Sequence, residues 1–135
     1  MAKVVLTDQL TVTVNGTDLS THVAAFTVNV SAAEVSSNSF GSNYQQRLMG
    51  LRDGSVSISF HSDYTNSSVN KTLGALFSAG SYATVVASGT LGGTAVAGTA
   101  VCLPLQLTPI GAAIGDLMVQ DVTWPTVGTV TGWGL

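Results

Sequence analysis

Apolar and polar residues alternate with a period of two in three short segments of the first sixty residues. The apolar positions of the three segments are Leu10, Val12 and Val14; Phe26, Val28 and Val30; and Val56, Ile58 and Phe60. Thr, Asn and Ser occupy the positions between them. Successive side chains of a strand point to opposite faces, so this pattern is typical of strands with one buried face. The sequence therefore predicts three half-buried strands.

Turn residues and β-branched residues indicate further strands. Asn15-Gly16 follows the first strand as a tight turn, and Asp53-Gly54 introduces the third in the same way. Proline donates no ladder hydrogen bond, so Pro125 predicts a strand end. The further strands are predicted near Tyr82–Ala87, Ala95–Leu107, Asp116–Trp124 and Val127–Trp133.

One segment, residues 67–79, predicts an α-helix. Its apolar residues follow the i, i+4, i+7, i+8 spacing of a single helical face. These residues are Val69, Leu73, Leu76 and Phe77. Ser67 or Ser68 provides an N-cap and Gly80 a stop signal. We expect all four apolar residues to pack on a sheet as part of the core.

The segment 31–52 departs from both patterns because it is long and mostly polar. Long loops in compact domains tend to be functional or disordered. Interface cores favour aromatic, Met and Arg residues, and four residues of these types, with one leucine, are the candidate anchors of this segment. They are Phe40, Tyr44, Arg47, Leu48 and Met49. We interpret the segment as an extended interaction arm; the alternative is a flexible loop.

Charged residues make up only 8% of the chain, against about 25% in ordinary proteins. Interface cores are depleted in charge, so we interpret this composition as a surface covered largely by copies of the same chain. The alternative is a soluble domain rich in Ser and Thr. The net charge is −3, and the basic residues are Lys3, Arg47, Arg52 and Lys71. They are too few and too scattered for tight binding to nucleic acid.

No catalytic, cofactor-binding or metal-binding pattern emerges from the sequence, and we do not expect an enzyme. His22 and His61 lack metal-ligand spacing with Cys102, which we expect to be a buried apolar residue. The N-terminus lacks the features of a signal peptide. The uncharged stretch 72–115 is interrupted by Gly and Pro, so we expect no membrane helix.

An ordered series of short motifs covers nearly the whole chain. Residues 14–23 read VNGTDLSTHV, residues 47–54 read RLMGLRDG, and residues 68–73 read SVNKTL. Glu34-Val35 precedes Phe40-Gly41, and residues 109–117 contain a PIG followed by a GDL. In this order the motifs resemble those of the major tail tube proteins of bacteriophages with long non-contractile tails, in particular phages of actinobacteria. The stretch 82–101 is similar only in its strand character.

This resemblance implies a mainly β fold: a β-sandwich or partial barrel with one flanking α-helix and a long interaction arm, in one domain over residues 1–135. It implies six-membered rings that stack into a hollow tube. The tail tip and tail terminator proteins would bind the tube ends, and the lumen would hold the tape measure protein and then DNA, without specific binding. The protein would be made in the host cytoplasm and reside in the virion tail. Thr11, Thr13, Ser57 and Ser59 are candidates for the lumen wall.

Two other classes of protein remain open at this point. A capsid decoration protein is also a small β-rich virion subunit. A carbohydrate-binding β-sandwich would show a row of exposed aromatic side chains. The aromatic residues Tyr44, Tyr64, Tyr82, Trp124 and Trp133 show no such spacing.

Overall fold

Strands make up most of the folded chain. The computed structural model describes residues 10–41, 43–65, 68–91 and 93–135. In chain order the elements are β1 (Thr11–Val14), β2 (Thr17–Asp18), a 3-10 turn (Ser20–His22), β3 (Val23–Ser36), β4 (Arg47–His61), α1 (Val69–Ala79), β5 (Ala83–Leu91), β6 (Thr94–Cys102), β7 (Val119–Pro125) and β8 (Thr131–Gly132).

The strands form two antiparallel sheets. One has five strands in the order β2-β1-β5-β6-β8, and the other has three in the order β3-β4-β7. A single hydrophobic core, to which α1 contributes, contains the inward-facing residues of both sheets. The predicted fold class, a mainly β sandwich or partial barrel with one helix, is therefore confirmed.

The core consists of the apolar positions of the alternating strands. On β1, and on β4 from Gly54 to Phe60, every second residue is buried, as the period of two predicts. The largest buried side chain, Trp124, donates its indole N–H to the backbone oxygen of Gln106 at 3.0 Å. Cys102 is buried in the same core, and burial raises its thiol pKa to about 11.

The turn after β1 forms as its residues predict. Asn15 and Gly16 both have positive φ, at 50° and 82°, the backbone geometry that favours Asn-Gly in tight hairpins. The Asn15 side chain also accepts a hydrogen bond from the Thr84 N–H at 2.8 Å, which ties the turn to β5.

Asp53-Gly54 is not a turn, and this prediction is wrong. Both residues lie inside β4, where Asp53 pairs with Ser31 and Gly54 with Val30. Packing explains why a glycine occupies this position. A Cβ there would lie 3.1 Å from the Thr126 hydroxyl oxygen and 3.2 Å from the Asn29 carbonyl oxygen.

Three other strands are shorter than predicted. β6 ends at Cys102, before Pro104, and β7 begins only at Val119. β8 contains just Thr131 and Gly132, because Gly128 and Gly132 adopt positive φ and bend the chain. The strand end at Pro125 is confirmed.

The predicted helix is confirmed, but only three of its four predicted core residues are buried. Ser68 is its N-cap residue, although its side chain makes no capping hydrogen bond, and Ser67 lies outside the described residues. Gly80 ends the helix in the left-handed conformation with φ of 66°. Val69, Leu73 and Leu76 are buried, as predicted.

Phe77 is not a core residue, because its side chain is 51% exposed. At about 100° per residue, Leu73 and Leu76 lie within about 40° of Val69 around the helix axis, whereas Phe77 lies about 80° away. The apolar face is therefore narrower than the spacing rule predicted.

This correction leads to a paired stability test. We expect Leu73→Ala to lower the free energy of unfolding by about 2–5 kcal/mol, because it leaves a cavity in the core. Phe77→Ala should cost less than about 1 kcal/mol, as for other surface positions. Urea unfolding of both variants measures the difference, and equal losses would show that the helix faces the sheets differently.

Candidate assembly surfaces

The arm predicted from residues 31–52 is a two-stranded ribbon that extends beyond the three-stranded sheet. The last residue pair between β4 and β7 is Ser55 with Pro125. Pairing between β3 and β4 continues past that point to Ser36 and Arg47. Only residues 37–46 connect the two strands, so most of the segment is strand, which its sequence pattern did not indicate. We call residues 31–52 the arm.

The face of the arm that carries Val35 and Leu48 continues the outer side of the sheet. Paired residues of two strands share a face, and Val35 alternates with the core-facing positions of β3, which include Phe26 and Val28. Leu48 pairs with Val35, and their side chains are 59% and 46% exposed. No described element covers this face, so its apolar side chains lie open to solvent.

The opposite face of the arm carries its ion pair. The Arg47 guanidinium donates to Glu34 at 2.5 Å and to the Gln45 side-chain oxygen at 2.9 Å. Both members of the ion pair are more than half exposed, so the pair adds about 1 kcal/mol or less to stability. Met49 lies on the same face as Glu34, its strand partner, and is also exposed.

The tip of the arm is closed by hydrogen bonds and carries aromatic side chains. The Ser37 N–H donates to the Gln46 carbonyl at 3.0 Å, and the Gln46 N–H donates to the Asn38 side chain at 2.6 Å. Phe40 is fully exposed and Tyr44 nearly so. The structure thus brings the five predicted arm residues onto one exposed projection; their role in an interface stays a prediction.

Sequence reasoning missed a second exposed apolar surface, in the irregular segment between β6 and β7. This segment contains Leu105, Ile110, Ile114 and Leu117, all largely exposed, and Asp116 is its one charged residue. The signal was present in the sequence: large aliphatic residues stand here without the alternation of a strand.

Hydrogen bonds hold this segment against the end of the domain where β4 leads into α1. The Tyr64 hydroxyl and the Asn70 side-chain amide both donate to the Pro109 carbonyl, the latter at 3.3 Å. The Ser62 N–H donates to the Met118 carbonyl at 2.9 Å. The segment is therefore fixed in place although it has no regular structure.

The four lumen candidates lie on two different surfaces. Thr11 and Thr13 alternate with buried residues of β1, so they lie on the outer face of the five-stranded sheet. Ser57 and Ser59 lie in the same way on the outer face of the three-stranded sheet. These faces lie on opposite sides of the core, so a single wall includes at most one pair.

The face around Ser57 and Ser59 is hydrophilic. Ser57 and Thr123 hydroxyls are 3.1 Å apart, and the Ser59 hydroxyl donates to the Asp121 carboxylate at 2.5 Å. The corresponding face of the other sheet places Val86 beside Thr13. The three-stranded sheet therefore presents the more polar outer face.

Among the described carboxylates, Asp63, which lies between β4 and α1, has a strongly lowered pKa. The Thr65 N–H and hydroxyl donate to it at 2.9 and 2.8 Å, and these bonds, with smaller contributions from Ser68 and His22, lower the Asp63 pKa to about 2. His22 Nε2 lies 2.9 Å from the other carboxylate oxygen. The arrangement joins the start of β3 to the turn before the helix.

This lowered pKa predicts a pH dependence of stability. A carboxylate with a depressed native pKa stabilises the fold above its unfolded pKa of about 4, and that contribution disappears as the pH falls to about 2. We expect Asp63→Asn to melt below the wild type at pH 7 and the two melting temperatures to converge between about pH 4 and 2. A constant gap across this range would contradict a stabilising role for the ionised carboxylate.

The described residues offer little to a metal ion or a membrane. Among them, no three His, Cys, Asp or Glu side chains form a group able to hold a metal. The described helix is too short to cross a bilayer, and no other described segment forms a long apolar helix.

Comparison with solved structures identifies the fold. A chain in the virion of a native gene transfer agent particle matches with a TM-score of 0.75 at 11% identity, over 95% of this chain and 98% of that one. A chain in the tail of an empty gene transfer agent particle, refined with C6 symmetry, matches at 0.62 and 14% identity, over 92% and 94%. A chain in the sixfold-symmetrised baseplate of the anti-feeding prophage matches at 0.65 and 9% identity, over 98% and 97%.

These likenesses establish that the chain has a fold found in subunits of phage-like particles. At such low identities they concern the fold and not the individual activity. Comparisons with protein families and with curated sequences find no match.

Proposed function

We propose that this protein is a structural subunit of a phage-like tail and that it builds the tail tube. Six copies close into a ring, and rings stack into a hollow conduit for genome ejection. The observation that carries the proposal is the arm, a ribbon with an uncovered apolar face that projects from the sandwich. Support comes from the phage-like particles that contain chains of the same fold. Two of these particles are described with sixfold symmetry.

Strand edges provide the contacts within a ring. Within the described residues β3 pairs only with β4, so its outer edge is open along 14 residues. An open edge invites pairing with another chain, and a closed ring uses that tendency without leaving edges free. Backbone hydrogen bonds of this kind need few charged side chains, in agreement with the 8% charged composition.

The arm provides the contacts between rings. A two-stranded ribbon is marginally stable alone in water, and its apolar face gains most when a partner covers it. Aromatic and aliphatic anchors such as Phe40 and Leu48 each contribute about 2 kcal/mol or more when fully buried in an interface. We therefore assign the axial contact to the arm.

The remaining partners follow from this tube. Its ends bind the tail tip and tail terminator proteins, and its lumen holds the tape measure protein and then DNA. The described residues contain only three basic side chains, and one of them, Arg47, is paired with Glu34. Phosphates would pass without specific binding. The role is structural, in a virion tail assembled in the host cytoplasm, and needs no catalysis.

Trimming the arm tests the proposal. Residues 32–52 are replaced by Asn-Gly, which joins the directly paired residues Ser31 and Asp53 by a two-residue hairpin turn. We expect a folded protein that builds no tubes, as judged by circular dichroism and negative-stain microscopy. The control is Phe77→Ala, which removes an exposed apolar side chain outside the arm and should still form tubes.

The wild-type protein tests the tube itself. At high concentration it should form rings or tubes in the microscope and in light scattering. A monomer under all salt conditions would contradict the proposal, and binding to capsids without self-assembly would identify a decoration protein. If the trimmed variant forms normal tubes, the axial contact must lie on another surface.

The lumen wall is tested by lysine substitutions on the two outer faces. We expect the more polar face to line the lumen, because it offers DNA hydroxyls and a carboxylate but no cation. Ser57→Lys and Ser59→Lys should then slow DNA ejection from virions with normal tubes, since a cation binds passing phosphates. Thr11→Lys and Thr13→Lys are the controls on the opposite face. Slow ejection only in the threonine variants would reverse the assignment.

A further inference from the structure

The two exposed apolar surfaces lie at opposite ends of the three-stranded sheet. At one end of β4, Arg47 pairs with Ser36 and leads into the arm tip. At the other end His61 pairs with Val119, where the segment 109–118 is anchored. At about 3.3 Å per residue, the 15 residues of β4 separate these ends by about 46 Å.

We call the second surface the acceptor surface; it consists of Tyr64, Ile110, Ile114, Leu117 and Val119. All five side chains are exposed, Ile114 completely. Hydrogen bonds from Tyr64 and Asn70 to the Pro109 carbonyl fix its shape before any partner arrives. A preformed surface loses little entropy on binding, which favours it as a docking site.

Stacking of identical copies in one direction needs two different surfaces. A head-to-tail contact joins one patch of a subunit to another patch of the next, whereas a twofold contact would join a patch to itself and stop growth after two units. The arm and the acceptor surface are distinct and face opposite ends of the sheet. They therefore have the geometry of a repeating axial contact.

The charges of the two surfaces are compatible with each other. Asp116, beside Ile114 and Leu117, is the only charged residue of the acceptor segment. In the arm Glu34 is neutralised by Arg47, and Arg52 forms no ion pair within the described part of the chain. The arm is thus weakly cationic and the acceptor surface weakly anionic, so docking brings no like charges together.

We propose that the apolar face and tip of the arm, through Val35, Leu48 and Phe40, dock on the acceptor surface of a second copy in the next ring. This inference rests on the proposed tube and names the surface that receives the arm. It makes the tube directional: one end presents free arms, and the other presents free acceptor surfaces. The proteins that bind the two ends must then offer different surfaces.

The test is complementation between two assembly-defective variants. Leu48→Asp damages the arm but keeps the acceptor surface, and Ile114→Asp does the reverse. A buried anchor of about 2 kcal/mol corresponds to about thirtyfold in affinity, so each variant alone should raise the concentration needed for tubes at least that much. When the two variants are mixed, the intact arm of one should dock on the intact acceptor surface of the other. Growth should stop at that single junction, because the other two surfaces are damaged. Light scattering should find a species with twice the mass of either variant's own unit.

Two controls separate this contact from unfolding and from general effects of charge. Ser36→Asp places the same charge on the opposite face of the arm and should assemble normally. Ile114→Val keeps the acceptor surface apolar and should also assemble. Melting temperatures establish that the aspartate variants are folded, and Leu117→Asp replaces Ile114→Asp if the latter is unstable.

The outcomes distinguish this inference from the proposed function. Normal tubes from folded Ile114→Asp and Leu117→Asp, or a mixture that forms no doubled species, would overturn the docking of the arm on the acceptor surface. In both cases tubes of the wild-type protein would leave the tail tube proposal standing. Failure of the wild-type protein to assemble under any condition would instead overturn both.

Discussion

The long antiparallel pairing of β3 with β4 is the constraint on which the rest of the structure depends. Inside the sandwich this pairing carries Val56, Ile58 and Phe60 into the core. Outside it, the same register decides which side chains share a face of the arm. A slip of one residue would turn every core residue of a strand outward, so burial inside the domain fixes the arrangement outside it.

A β-bulge adapts this register to the arm. Between the pairs Ala32–Arg52 and Glu34–Met49 the register shifts by one residue, and the extra residue lies on β4. It reverses the faces of β4 beyond that point, whereas β3 keeps its alternation. Leu48 consequently shares the outer face with Val35, and Arg47 shares the other face with Glu34. The bulge thereby places the apolar pair and the ion pair on opposite faces of the ribbon.

The same bulge explains why sequence patterns predicted the sandwich better than the arm. Strands such as β1 show a clear period of two because one face is buried within the chain. In the arm the extra residue interrupts the period, and neither face is buried within a single copy. The sequence therefore indicated an exposed segment with large side chains but not its strands. The strands of the arm form because β3 pairs with β4 over many residues. Local sequence patterns do not contain this tertiary pairing.

Two other differences between the sequence-based predictions and the structure also have local causes. Phe77 satisfies the helical spacing rule, yet its angle places it at the edge of a narrow apolar face, and no spacing rule measures how wide a face the sheets leave. The lumen candidates show a second limit of sequence patterns. Alternation correctly placed Thr11 and Ser57 on outward faces, but only the arrangement of the two sheets shows that those faces are opposed.

In the proposed tube, the arm also has to avoid indiscriminate pairing before assembly. An exposed ribbon with apolar side chains is a hazard, because its outer edges carry free backbone groups that other strands can bind. Bulges and charged side chains reduce this tendency, and the arm has both: the irregularity after Ala32 and the Glu34–Arg47 pair. Charged side chains on an edge make it a poorer partner for other strands, and this pair is exposed there. Edge pairing is discouraged along the arm, whereas β3 keeps its open edge from Val23 to Val30, inside the sandwich. The proposed ring contact uses that edge, and the proposed axial contact uses the apolar face of the arm.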